Sequence, residues 1–187
     1  MKRLLLMTFV LMLGASLALA QETRIGIFKD NAGTICAVVD SAAGLLPVYV
    51  VQIGATGATG AQYKATKPAC MTATYLSDTN PFGVVIGNSQ TGTAVAYGSC
   101  LAGDIHVQTI NFFASGTTPV CCIYPLSCDP AAGNPDCTLG TMTDCNFVKS
   151  TIVLQSGVVN STAACTCAMI VPAQESSWGQ IKALYGE

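Results

Sequence analysis

Apolar and polar positions in this chain change over short stretches. Runs rich in Val, Ile, Tyr, Phe and Thr recur between clusters of Gly, Asn, Asp and Pro. That is the pattern of strands separated by turns, not of helices with an apolar stripe. The expected strands are Arg24–Phe28, Thr34–Val39, Leu46–Ile53, Ala61–Thr66, Met71–Leu76, Phe82–Gly87, Thr93–Tyr97 and His106–Ala114. Turn signals at a spacing of about 8–12 residues point to a sandwich or barrel. LPVYVVQI, from Leu46 to Ile53, carries the strongest strand signal. His106–Ala114 has bulky apolar groups on both faces near its end, which predicts a central strand.

Further along, Pro125–Thr143 reads as a long ordered loop held by cysteines. Two strands are expected after it, Phe147–Gln155 and Cys167–Val171, with a turn at Ser156-Gly157. The end changes character. Ser177 and Gln180 form a capping box, and Trp178, Ile181, Leu184 and Tyr185 fall at helical spacing. A short amphipathic helix over Trp178–Tyr185 is predicted, with Trp178, Ile181 and Tyr185 as candidate partner contacts. The alternative is that these aromatics dock the helix onto the sandwich.

The first 20 residues form a separate pattern. Lys2 and Arg3 precede an apolar run, and Ala18-Leu19-Ala20 is a small-x-small cleavage site. This predicts a secretory signal peptide cut near Ala20-Gln21. No later run is long and apolar enough to span a membrane. The mature part should form a single domain over 21–172, with a tail over 173–187.

Hydrophobic residues make up 51% of the chain and charged residues 10%. Disorder needs the opposite balance. Without Lys2 and Arg3, six basic groups face ten acidic ones. Such a chain lacks the basic stripe that nucleic acid requires.

The ten cysteines are Cys36, Cys70, Cys100, Cys121, Cys122, Cys128, Cys137, Cys145, Cys165 and Cys167. An even set in an exported chain predicts disulfides. Cys121 and Cys122 should bridge to different places, since adjacent residues fit a mutual bridge poorly. Cys128 and Cys137 bracket a Pro/Gly/Asn loop and form a plausible local pair. Three cysteines precede residue 114 and seven crowd into the part 119–171. The first half is therefore expected to fold on its own apolar core and the second to be a stapled, loop-rich region. Zinc is disfavoured, because thiolate sites use paired C-x₂₋₄-C spacings that are absent.

Other candidates have plain structural readings beside them. Gly54-Ala-Thr-Gly-Ala-Thr-Gly60 lacks the dinucleotide pattern and reads as a flexible or bulged connection. Asp129, Asn134 and Asp136 could offer oxygens to calcium, but a self-bonded turn is favoured, and no cofactor is expected. Asp104 and His106 sit two apart and could face one side as a hydrolytic pair. A strand-edge histidine is the favoured reading. Asn160-Ser161-Thr162 matches a glycosylation sequon and is read as a surface turn.

The stretch LPVYVVQIGATGATGAQYKAT, with MTATYL, GTAVAYGSC and IHVQTINFFA after it, resembles the cohesin-type modules of secreted bacterial proteins. Gly60-Ala61-Gln62-Tyr63 fits their GxQY/F strand, and Ile110-Asn111-Phe112-Phe113 fits a returning aromatic strand. The resemblance covers residues 25–114. Dense cysteines depart from that pattern, the region 119–171 has no counterpart in it, and a dockerin partner is not inferred. The whole chain also resembles uncharacterised secreted bacterial proteins that begin IGIF/Y and end W-G-x-I/V-K-A-L-Y.

The expected fold is all-β: an immunoglobulin-like or cohesin-like antiparallel β-sandwich of eight to ten strands, with a disulfide-rich C-terminal part and a short C-terminal helix. The expected role is a secreted, non-catalytic binding or surface-assembly module with a protein or glycan partner outside the cell. The alternatives are a fibre subunit joined through an edge strand, or a hydrolase using Asp104 and His106.

Overall fold

The computed structural model describes residues 23–129 and 139–167. Its strands are β1 Arg24–Phe28, β2 Ala37–Val38, β3 Ala43–Tyr63, β4 Thr74–Thr79, β5 Val84–Asn88, β6 Gly92–Ser115, β7 Cys122–Tyr124, β8 Gly140–Thr143, β9 Lys149–Gln155 and β10 Gly157–Val159. Among the described residues there is no helix long and apolar enough to cross a membrane. The expected helix over Trp178–Tyr185 and most of the strand Cys167–Val171 lie outside those residues. Cys167 itself is not in a strand.

A long antiparallel ribbon of β3 and β6 organises the fold. It pairs from Ala43↔Ser115 to Tyr63↔Thr93. The first half of β3 is flanked by β1 and its second half by β8. The same division holds for β6, which is flanked by β5 early and β4 late. β9 pairs antiparallel with β8 and parallel with β1, so the seven-stranded sheet folds back on itself as a sandwich. A second sheet, β2-β10-β7, lies beside it.

Two pairs of expected strands are thus single strands. Leu46–Ile53 and the start of Ala61–Thr66 both lie in β3, and Thr93–Tyr97 and His106–Ala114 both lie in β6. The repeat Gly54–Gly60 is where β3 bends. Its register against β6 shifts between Gln52 and Ala55, between Ala55 and Ala58, and between Ala58 and Gly60. Bulges of this kind turn a strand sharply while pairing continues on either side.

Inward-facing strand positions form the core. Ile25, Ile27, Val48, Val50, Val95, Ile110, Phe112 and Tyr124 are buried in one cluster. Phe112 meets Tyr75 and Tyr124 edge to face at 6.0 and 6.1 Å. Two glutamines are buried among them. Tyr63 Oη donates to Gln108 Oε1 at 2.5 Å and Tyr97 Oη to Gln52 Oε1 at 2.7 Å. Burial pushes both phenol pKa values up, so each stays a neutral donor. A register shift between Val50 and Val51 leaves β6 one residue longer there, and both Val107 and Gln108 are buried.

The disulfides run across the expected division of the chain. The bridges are Cys36–Cys167, Cys70–Cys122, Cys100–Cys145 and Cys121–Cys165. Each early cysteine is tied to the cysteine-dense part. β8 and β9 also belong to the main sheet. Gly140–Thr143 was expected within a loop, but it pairs with both β3 and β9. Thr34–Val39 contracts to the two residues of β2. Cys128 is disulfide-bonded as well, while the expected pairing with Cys137 lies outside the described residues.

Candidate functional site

The outward face of β5, β6, β3 and β8 forms an open groove of ≈ 470 Å³. Its composition follows from the pleat. Val95, Ala61 and Tyr63 point into the core, so their neighbours Ala94, Ala96, Gly60 and Gln62 form the floor. Gly60 keeps this floor flat, since a Cβ there would lie 2.7 Å from the Val95 carbonyl oxygen. Val84 and Ile86 of β5 stand along one side, 59% and 71% exposed. Thr141, Thr143, Phe147 and Lys149 line the other.

Phe147 is the most exposed large apolar residue described, at 80%. Its backbone is left-handed, with φ 61°. A non-glycine residue pays about 1–2 kcal/mol for that conformation. The surroundings impose it. Asp144 Oδ1 accepts from the amides of Asn146 and Val148, both at 2.8 Å. Phe147 N donates to the Asp144 carbonyl at 3.0 Å, and Thr59 Oγ1 donates to the same oxygen at 2.9 Å. Two residues before Phe147, Cys145 is bonded to Cys100 of β6. Gly57 leaves room for that bridge, because a Cβ there would lie 2.8 Å from Cys145 Sγ. The Gly54–Gly60 repeat therefore shapes one end of the groove. An aromatic ring held out of the core on a strained, pinned turn adds contact surface rather than core burial.

The residues singled out from sequence lie elsewhere. Asp104 Oδ1 accepts from Gly54 N at 2.8 Å and pins the bend in β3. The His106 ring packs edge to face on Tyr49 at 5.5 Å, and its Nε2 pairs with Thr109 Oγ1 at 3.0 Å. The two share a strand face, but each is engaged with a different partner. Asp129 is buried and accepts from Gln62 Nε2 at 2.8 Å, beside the groove. Asn134, Asp136, Trp178, Ile181 and Tyr185 lie outside the described residues. Among the described residues no cluster of His, Cys, Asp or Glu could hold a metal. The groove residues carried no sequence signal as a site, since Val84, Ile86 and Phe147 read as ordinary strand positions. The usable hint was the turn formula Asp144-Cys145-Asn146 directly before an apolar residue.

Partial burial pushes the His106 pKa below its usual 6.5. The unfolded chain then binds the proton more readily than the folded one. Stability supplied by neutral His106 is present above about pH 6.5 and falls as pH drops through that value towards the lowered folded pKa. His106→Gln should flatten this part of the stability–pH curve. Denaturant midpoints across mildly acidic pH would show an unchanged slope if the histidine does not contribute.

No family profile matches the chain, and no curated protein matches it. Among solved structures it is similar to a non-cellulosomal cohesin from the hyperthermophilic archaeon Archaeoglobus fulgidus. Identity is 12%, the TM-score 0.48, and the match covers 76% of this chain and 93% of that one. It is also similar to the sixth cohesin of Acetivibrio cellulolyticus scaffoldin B, solved in complex with a mutant dockerin. There identity is 12%, the TM-score 0.43, and coverage 76% and 100%. The chain has a weak cohesin-like resemblance over a segment, as its sequence implied, and the likeness is one of fold.

Proposed function

We propose that the chain is a secreted, non-catalytic protein-binding module whose contact surface is the groove on β5, β6, β3 and β8. The observation that carries this reading is Phe147, an exposed aromatic on a strained turn above a floor of Gly and Ala. Aromatic anchors beside a shallow apolar surface are what protein interfaces use as hot spots. The predicted leader and the disulfides support an oxidising compartment outside the cytoplasm. We put protein ahead of glycan as the partner class, because among the described residues Lys149 is the only charged one lining the groove.

The test is a binding screen of the oxidised protein against surface and secreted proteins of the producing organism, with glycans in parallel. Phe147→Ala is expected to weaken the captured interaction by at least about 25-fold, the loss typical of a hot spot. Its melting temperature should hold or rise, because the ring packs on little and alanine bears no greater strain. Removing residues 176–187 should leave binding intact. Loss of binding on that truncation alone would move the contact to Trp178, Ile181 and Tyr185. Binding only to glycans would overturn the choice of partner class.

A further inference from the structure

We infer that the free edge of β5 pairs with β5 of a second copy of this chain, joining two sheets across a two-fold axis. The inference goes beyond the groove reading and does not depend on it. Among the described residues, β6 is the only strand paired with β5. Among the described residues nothing pairs with the opposite edge, and the backbone donors and acceptors of such an edge are what an incoming strand can satisfy.

Three observations favour a second copy as that strand. First, proteins commonly guard such edges with lysine, proline or an inward charge. Here every residue from Thr79 to Gly103 is uncharged, and Val84–Asn88 contains no proline. Second, the predicted mature chain is acidic, so copies repel one another over much of their surface. The β5 strand itself adds no charge to that repulsion. Third, Val84-Val85-Ile86 is self-complementary. An antiparallel pairing centred on Val85 sets Val84 opposite Ile86 of the other copy, twice, and exposed aliphatic side chains meet. An edge of five residues is short of a standard interface of about 1,600 Å². The association is therefore concentration-dependent.

The test is sedimentation equilibrium of the oxidised protein from micromolar to millimolar concentration. A monomer–dimer equilibrium is expected. Val84→Lys with Ile86→Lys places lysine opposite lysine twice, and should raise the dimer dissociation constant by at least about tenfold. Val84→Glu with Ile86→Glu should do the same. Mixing the two variants should restore a dimer as a heterodimer, which a merely misfolded variant could not do. Phe147→Ala should leave dimerisation unchanged while it weakens partner binding, so the two readings fail separately. A wild-type protein monomeric throughout would overturn the inference. So would a dimer that survives in both charged variants, or a mixture that stays monomeric.

Discussion

Replacing Asn160 by alanine should lower the stability of the protein by about 3–4 kcal/mol, the sum expected for orphaned buried polar groups plus a left-handed alanine. Asn160 stands at the end of β10 with φ 53°, a conformation that Asn tolerates better than Ala. Its side chain spans three segments. Oδ1 accepts from Asp40 N at 2.8 Å, and Nδ2 donates to the carbonyls of Asp40 at 3.0 Å and Thr118 at 2.7 Å. Asp40, only 2% exposed, accepts in turn from Gly116 N at 2.8 Å and from the Thr118 hydroxyl. The cluster thus fastens the ends of β2, β6 and β10. Alanine leaves the Asp40 amide and two carbonyls without partners. The check is a denaturation midpoint that falls while the m-value holds. A loss below about 1 kcal/mol would mean that water replaces the side chain at little cost. Both Nδ2 hydrogens are engaged in the folded chain, so the sequon at Asn160 is a structural clamp rather than the plain surface turn expected of it.

What could be read in advance follows a physical division. β1 was legible to the residue, and Leu46–Ile53 and His106–Ala114 were legible as strands, but not their core faces: bulky groups stand on both sides of His106–Ala114, yet Phe112 is buried and Phe113 is 54% exposed. Long-range pairing was not legible either. Nothing local in Gly54–Gly60 distinguishes a bulged bend within one strand from a loop between two. The strand β8 is only the four residues Gly-Thr-Met-Thr, too short to stand out, and is joined to the main sheet by β3, far away in sequence. The cysteines were read by their crowding, yet their pairing joins early to late. Spacing cannot reveal that, because it depends on the topology the bridges close. The groove was hidden for a related reason. Its floor residues are small and its rim residues apolar, so in sequence they look like core. Only the sheet's two-sided pleat shows which of them point outward.

Removing the Cys100–Cys145 bridge should damage both stability and binding. Its cysteines are 45 residues apart. For a loop of that length the chain-entropy estimate is about 4 kcal/mol. Cys100→Ser with Cys145→Ser avoids a lone thiol and should shift the denaturation midpoint accordingly. The functional effect has a separate origin. The bridge anchors the turn after β8 to β6, and that turn holds Phe147 at the groove mouth. Without it, Thr59 and Asp144 still bond the turn, but the covalent restraint on Phe147 is gone. Binding must then meet the entropic cost of ordering the ring, and affinity should fall by about tenfold for a flexible hot-spot residue. The binding loss should persist at temperatures where the variant is fully folded. Phe147→Ala combined with the bridge deletion should lose little more affinity than Phe147→Ala alone, because both act through one ring. Additive losses would show that the bridge shapes the groove by another route. Unchanged affinity in the folded double-serine variant would show that the pinned turn is not what prepares this face.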